Sequence, residues 1–564
     1  MSVTWTHLEL RRDGDGIAWL AFDRAASATN TLSAEVLAEF GAALDVLEQA
    51  PPRGLVIASA KPAGFIAGAD ITEFSRIESA AAARALVERG WRLFERLAQL
   101  AFPTLALIRG HCMGGGLELA LACRYRIVVD EPATKLALPE VMLGIVPAWG
   151  GMKRLPALIG PAAALDLMLT GKPVDAKKAA RLGLADACVP PRVMDNAARM
   201  LVTSGQAPRR LPWPQKLLNG PGRGLVADKA RKRLAARVRR EHYPAPYAIL
   251  DIWAQHGGNA LAVPADAAAS LEAIFRSPTA RNLVRVFQLQ ERLKSFGKAD
   301  APGDDFTPRH IHVVGAGVMG GDIAALCALR GLTVSLQDQS VERIAPAIAR
   351  ATELFERKSK GDARAVRFAL DRLLPDPDGH GVARADVVIP VSTHFERAGH
   401  EAKRALFAAL ERRARPDAVL ATNTSSLRVE AIGARLARPE RLVGIHFFNP
   451  VAQMPLVEVV EGPEADADAL RRAAVFVRRI DKLPLPVRSA PGFLVNAVLG
   501  PYLHEALVCV DEGIAPETVD AALEAFGMPM GPVELVDTVG LDIALAAGQA
   551  LAGEAAAAPR RLAE

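Results

Sequence analysis

The chain has 564 residues, too many for one ordinary hydrophobic core, so two or three domains are expected. Half of the residues are hydrophobic and 23% are charged, which excludes a disordered chain. The net charge of +5 comes from 68 basic and 63 acidic residues scattered without a stripe, so small anionic ligands are expected as partners and no nucleic acid.

Residues 1–190 alternate short apolar strands with helices, an α/β pattern. Leu8–Leu10 and Ile17–Phe22 flank the turn Asp13-Gly14-Asp15-Gly16 and read as a hairpin. Ser33 can cap a helix whose apolar face runs Val36, Leu37, Phe40, Leu44, Leu47. Strands are predicted at Leu55–Ala60, Thr104–Ile108 and Arg126–Val129. Residues 191–308 read as a helical extension and linker. A new strand at His310–Gly315 opens a second α/β region over 309–490, with a further strand at Leu332–Gln337. From 491 to 564 the spacing of Val495, Leu499, Leu503 and Leu507 predicts helix.

Three segments in the first region combine glycine with carboxylates: Gly64–Asp70, Gly114-Gly115-Gly116-Leu117-Glu118, and Leu138-Pro139-Glu140 running into Trp149-Gly150-Gly151. Glycines after strands let backbone amides approach a ligand, and two such amides can converge on one oxygen. Glu118 and Glu140 would form a carboxylate pair able to position water and move protons. In order and sequence these segments resemble the enoyl-CoA hydratase (crotonase) family over about residues 10–190, ending with Gly171-Lys172-Pro173 and Ala179–Leu184. The resemblance implies a ββα-spiral fold, with an acyl-CoA thioester oxygen held by the amides of Ala69 and Gly115. Glu118 and Glu140 would hold the attacking water. Some relatives isomerise 3-enoyl-CoA in the same pocket. Arg124 stands where the family usually has Asp, and 129–135 is slightly longer than usual.

The second region opens with Gly315-Ala316-Gly317-Val318-Met319-Gly320, a GxGxxG turn between strand and helix. Gly315 suits the tight turn, Gly317 the approach of a pyrophosphate, and Gly320 close helix–strand packing. Asp338, 23 residues after Gly315, is placed to bond an adenosine ribose and to repel a 2′-phosphate, which favours NAD over NADP. Asn423-Thr424-Ser425-Ser426 follows, then Gly444–Pro450 containing His446, with Glu458 twelve residues beyond it and Pro491–Asn496 after that. A histidine with a carboxylate to orient it makes a plausible acid–base pair.

Together these motifs resemble the 3-hydroxyacyl-CoA dehydrogenase family from about 310 to 545, and hydratase followed by dehydrogenase resembles the multifunctional enzymes of fatty-acid oxidation. The resemblance implies a Rossmann-type NAD-binding domain, with His446 as the base and Glu458 as its orienter. Ser425 and Asn496 would hold substrate oxygens, and Met319, Lys403, Asn449 and Ser425 would line the NAD site. It further implies an oligomer and a thiolase subunit as partner.

Departures concentrate in this half. Pro390 follows Asp386–Ile389 and is expected to end that strand early. About four extra residues precede Lys403, where Glu396 is the candidate for a family glutamate, and Ala497 replaces a common Arg. Past Pro529–Leu535 and Asp537–Asp542 the resemblance gives way to an Ala-rich tail, so the last domain, 491–564, reads as short, helical and incomplete. Two alternatives to a bifunctional enzyme follow: a hydratase with an impaired dehydrogenase half, and a non-catalytic NAD- and acyl-CoA-binding scaffold. The five cysteines are widely separated with no CxxC pair, so neither a disulfide framework nor a metal site is expected. No signal pattern opens the chain and no apolar run nears the ~18–20 residues that span a bilayer, so a cytoplasmic protein without transmembrane segment is expected.

Overall fold

The computed structural model describes residues 2–62, 64–74, 79–297, 306–391, 399–424 and 427–541. The chain divides into two units, Met1–Gln288 and Leu289–Glu564.

The first unit holds two of the three sheets found among the described residues. The larger has seven strands, in the order Ser2–Thr4, Leu8–Arg12, Ile17–Phe22, Gly54–Ser59, Thr104–Ile108, Tyr125–Val129 and Ala187–Val189. Its first three strands meander antiparallel, and the expected hairpin forms with Leu10 opposite Leu20. The rest are parallel and nearly continuous in buried apolar residues, as a sheet covered on both faces requires.

The smaller sheet runs Val174–Asp175, Lys135–Ala137, His111–Met113, Gly64–Ile66. The chain alternates between the two sheets. Gly54–Ser59, Thr104–Ile108 and Tyr125–Val129 in the large sheet are followed by Gly64–Ile66, His111–Met113 and Lys135–Ala137 in the small one. Each pair then leaves for a helix or a turn. The three small-sheet strands are parallel neighbours, so their carboxyl ends lie side by side. That is how segments 67–70, 114–118 and 138–140, far apart in sequence, are brought together.

Ser33 does cap the helix Ala34–Gln49, its side chain accepting from the Val36 amide, and the helix buries Val36, Leu37, Phe40, Leu44 and Leu47. Phe40 meets Phe22 and Phe94, with ring centroids 5.9 and 6.4 Å apart. Burying such side chains contributes about 1.5–3 kcal/mol each. Helices from 194 to 276 extend this unit, and Ile249, Trp253, Leu271 and Ile274 belong to the same core as Phe40 and Phe94.

The second unit carries an eight-stranded sheet, in the order Leu373–Pro375, Thr333–Gln337, His310–Val314, Val387–Pro390, Val419–Thr422, Leu442–Phe447, Leu456–Glu461, Leu483–Arg488. The first six strands are parallel, and Leu456–Glu461 runs antiparallel to Leu442–Phe447. The order reverses between His310–Val314 and Val387–Pro390, the switch point at which doubly wound sheets bind ligands.

The strand Val387–Pro390 ends at the proline, as the sequence leads one to expect. Pro390 pairs opposite Val314, and the next amide, Val391, donates to the Val314 carbonyl at 2.7 Å. Because amides alternate sides along a strand, the missing donor faces the other neighbour, Val419–Thr422, where pairing stops at Leu420. Helices Val495–Asp511, Pro516–Phe526 and Pro532–Val539 follow, packed around Ala506, Val510 and Val519.

Candidate active sites

In the first unit a cleft of about 730 Å³ opens where the small-sheet strands end. It is lined by Gly68, Ala69, Gly114, Gly115, Glu118 and Glu140, and by an apolar wall that includes Leu86, Leu143, Trp149, Leu271 and Ile274. All four sequence-predicted residues of this site therefore reach one cavity.

The two amides are placed by the local fold. A parallel bridge joins Leu32 to Ala69, with the Leu32 amide donating to Gly68 and the Asp70 amide to Leu32. The Ala69 amide, lying between them, must face the opposite side. Gly115 is the first residue of the helix Gly115–Ala122, where an amide has no intrahelical acceptor. Its predecessor Gly114 turns at φ 52, and a Cβ there would crowd Glu140 Oε1 at 3.0 Å.

Glu118 is 2% exposed, and its Oε1 accepts from the amides of Trp149 at 2.8 Å and Gly151 at 2.7 Å. Burial pushes its carboxyl up to about 7, against the lowering effect of those two amides and of Arg154. Glu140 is buried as well, and its Oε2 has no hydrogen-bond partner among the described residues. Its carboxyl is raised well above the ordinary range, first by burial and then by the charge of Glu118. An acid pair with unequal proton affinity at the end of an apolar cleft suits moving a proton and a water molecule.

The sequence reading did not foresee that the Trp149–Gly151 turn grips Glu118, nor that the 191–276 helices supply Leu271 and Ile274 to the cleft wall. The glycine pair at 150–151 was the visible signal for the first; nothing local signals the second. Arg124, the noted departure, is exposed and donates its amide to Thr104 Oγ1.

In the second unit the glycine turn stands at the carboxyl end of His310–Val314. Gly315 turns at φ 105, and its amide donates to the Gln337 carbonyl at 2.8 Å. A Cβ on Gly320 would collide with the Gly315 carbonyl, so the helix Val318–Leu329 lies as close to the turn as the motif requires. A Cβ on Gly317, by contrast, would meet nothing within 4 Å. That helix start has no side-chain cap and so offers its amides to an anion. Asp338 closes the next strand, and its Oδ2 accepts from the Ala316 amide at 2.8 Å. Open space over Gly317, uncapped amides and an adjoining carboxylate fit a dinucleotide.

His446 lies on the same edge of the sheet, near the end of Leu442–Phe447. Its cross-strand partner is Glu458, and Nδ1 is 2.7 Å from Glu458 Oε2. Glu458 is fully buried, and its Oε1 accepts from the amides of Leu494 and Val495 at 3.0 and 2.9 Å. Asn496, next in the chain, is half-buried. Phe448 and Phe493 pack edge-on against the imidazole, with centroids 4.7 and 5.6 Å away. Phe493 adopts φ 52, a left-handed conformation that costs a bulky residue of order 1–3 kcal/mol and that the surrounding contacts sustain. Lys482 Nζ donates to the carbonyls of Val451 and Met454, fixing the loop after His446.

Met319 is half-buried, Lys403 buried and Asn449 exposed. Ser425 and Glu396 lie outside the described residues. No group of side chains that would hold a metal ion occurs among the described residues.

Comparison with known proteins agrees with this geometry. Residues 12–208 match the enoyl-CoA hydratase/isomerase family. Residues 310–490 match the NAD-binding domain of 3-hydroxyacyl-CoA dehydrogenase, and 492–563 match that enzyme's C-terminal domain. The fatty acid oxidation complex subunit alpha of Vibrio cholerae serotype O1 (classical strain Ogawa 395) is 39% identical over 553 residues, covering 95% of this chain and 76% of the relative. The subunit of the same name from Vibrio campbellii is 36% identical over 548 residues, again covering 95% and 76%.

The chain belongs to the fatty acid oxidation complex alpha-subunit family. It is an enzyme in which an enoyl-CoA hydratase domain of crotonase fold is fused to an NAD-dependent 3-hydroxyacyl-CoA dehydrogenase, with a Rossmann domain and a helical C-terminal domain. Along the chain the hydratase comes first and the dehydrogenase second.

Proposed function

We propose that the two halves catalyse consecutive steps of fatty-acid β-oxidation. A trans-2-enoyl-CoA is hydrated in the first unit, and the resulting 3-hydroxyacyl-CoA is oxidised to the 3-ketoacyl-CoA in the second. The observation that carries the reading is the pair of buried carboxyls, Glu118 and Glu140, opening on one cleft beside two outward-facing amides.

In hydration the amides of Ala69 and Gly115 receive the thioester oxygen. As water adds to C3 that oxygen gains enolate charge, which the two donors stabilise; losing one such donor typically costs ~10²–10³ in rate. Glu118, held by two amides, is the more readily ionised and takes the proton of the attacking water. Glu140, whose proton is held more tightly by burial and by the charge of Glu118, delivers a proton to C2. The same pair supports isomerisation of a 3-enoyl-CoA as a side activity, because that reaction needs only proton transfer between carbons.

In oxidation His446 takes the 3-hydroxyl proton. Glu458, bonded to Nδ1, presents the other ring nitrogen to substrate and stabilises the imidazolium. Asn496 and Ser425 hold the substrate oxygens. Gly315, Gly317 and Gly320 admit the pyrophosphate to the helix start and Asp338 holds the adenosine ribose, with Met319, Lys403 and Asn449 lining the site. Bound NAD supplies the hydride acceptor.

We further propose a cytoplasmic oligomer that works with a thiolase subunit to consume the 3-ketoacyl-CoA. Its support is the relatives' name as subunits of a complex, the five free cysteines, and exposed apolar side chains such as Val498 and Phe526. Among the described residues no helix is long and apolar enough to cross a membrane.

Crotonyl-CoA with NAD tests the core of the reading, followed at the thioester absorbance and at the NADH absorbance. Loss of the enoyl signal with NADH formation is expected. Enoyl loss without NADH would leave a hydratase with a silent second half; ligand binding with neither signal would leave a scaffold.

A further inference from the structure

Arg154 is nearly buried, with a side chain 11% exposed, and it does not line the cleft. Its Nη1 donates to the Trp149 carbonyl at 3.0 Å and its Nη2 to Glu95 Oε1 at 2.6 Å. A Cβ on Gly150 would collide with the guanidinium, so this turn leaves room for Arg154 only because residue 150 is glycine. The turn so clamped, Trp149–Gly151, is the one whose two amides hold Glu118 Oε1. A buried guanidinium keeps its proton, so a fixed positive charge stands behind a buried carboxyl.

We infer that Arg154 is a positioning residue for hydration: it locks the turn that grips Glu118 and keeps that carboxyl in its ionised, proton-accepting form. The inference rests on Glu118 being the base. Burial alone would hold Glu118 protonated at neutral pH, where it could take no proton from water. The amides of Gly151 and Trp149 oppose that tendency most, and the Arg154 cation adds to them directly as well as by holding the turn that carries them.

The other groups facing this cluster are few. Glu140 comes from the 139–143 turn and raises the proton affinity of the pair. Glu95, on the helix Ala80–Gln99, sits across Arg154 from Glu118 and also takes Lys153 at 2.9 Å. Cys123, just past the helix that carries Glu118, is fully buried with its thiol pushed up, and stays neutral.

The test is the pH profile of crotonyl-CoA hydration in the full chain, for wild type, Arg154→Lys, Arg154→Met and Glu95→Gln. The methionine keeps most of the length without the charge, and its acid limb should move to higher pH. Activity at pH 7 then falls, roughly tenfold for each unit of displacement, and is largely regained at high pH. Lysine should keep the limb near its wild-type place. Glu95→Gln removes the countercharge and should move the limb the opposite way, to lower pH. NADH formation from a 3-hydroxyacyl-CoA serves as an internal control on the chain.

A loss by one constant factor at every pH, with the limb unmoved in both Arg154→Met and Glu95→Gln, would overturn the inference and leave Arg154 a structural residue. Should Arg154→Met fail to fold, Glu95→Gln decides alone: a limb that stays put or rises overturns the idea. A wild-type chain that hydrates crotonyl-CoA equally well as Glu118→Gln would instead overturn the assignment of Glu118 itself.

Discussion

The two active sites use a buried glutamate in opposite ways. Glu458 has both oxygens engaged: one takes the imidazole and the other takes two backbone amides, so three fixed donors hold it. Glu118 has one oxygen held by two amides, and Glu140 has an oxygen with no partner among the described residues. A carboxyl that only orients another group is best fully satisfied. One that must exchange a proton in each turnover has to keep an acceptor open, and it is destabilised by burial until substrate and water arrive. Satisfaction marks the orienter and the unmet bond marks the reactor.

The largest expected effect breaks the second site at its reactive member. His446→Gln should nearly abolish NADH formation from 3-hydroxyacyl-CoA, a loss of ~10⁴ or more, while hydration of crotonyl-CoA by the same preparation survives. Normal dehydrogenase turnover in the mutant would refute the role. Next, Glu118→Gln or Glu140→Gln should lower hydration by ~10²–10⁴ with NADH formation unchanged. If both mutants hydrate crotonyl-CoA near the wild-type rate, the carboxyl pair is not the catalyst.

A smaller effect sharpens the contrast through stability. Burial raises Glu118 from 4.5 to about 7 in the folded chain. Between those values the unfolded chain has released the proton and the folded one still holds it, so the folded state binds more protons and stability falls as pH rises through the window. Gln at 118 keeps an oxygen for the Trp149 and Gly151 amides but carries no charge. Thermal melts of Glu118→Gln should match wild type near pH 5 and exceed it near pH 8, by roughly 2–4 °C for each kcal/mol recovered. A mutant less stable than wild type at pH 8 would mean the ionised carboxyl is well accommodated. The exchange of stability for a poised acid would then be wrong.

Much of this was legible in the sequence, for reasons that differ by element. The glycine turns could be read because each sits immediately after an apolar strand, where only a few local residues decide the geometry, as at Gly114–Gly115 and Gly315–Gly320. The His446–Glu458 dyad was suggested by order and is explained by register: two adjacent antiparallel strands place the residues directly opposite. Pro390 could be read as the end of its strand because a missing amide donor is a property of the residue itself. The grip of Trp149 and Gly151 on Glu118 spans more than thirty residues, and Leu271 and Ile274 reach the cleft from over 120 residues beyond Glu140. No periodicity encodes such contacts, which depend on how the helices after residue 190 pack back on the first core.

The smallest effect separates binding from folding in the NAD half. Gly320 and Gly317 belong to one motif, yet an added methyl meets the Gly315 carbonyl at the first and open space at the second. Gly320→Ala must therefore shift backbone and should destabilise the second unit by about 1–3 kcal/mol. Gly317 takes φ −61, which alanine tolerates, so Gly317→Ala should cost about 1 kcal/mol or less through the weaker helix cap. Its methyl would nevertheless occupy the space into which the pyrophosphate has to come. The KM for NAD should rise several-fold, on the order of 1 kcal/mol of lost binding, with kcat nearly unchanged and the melting temperature lowered by no more than about 2–4 °C. Titrating NAD against Gly317→Ala measures this directly. An unaltered KM would mean that the dinucleotide does not approach the backbone at residue 317, and the cofactor placement would have to be redrawn around Asp338 alone.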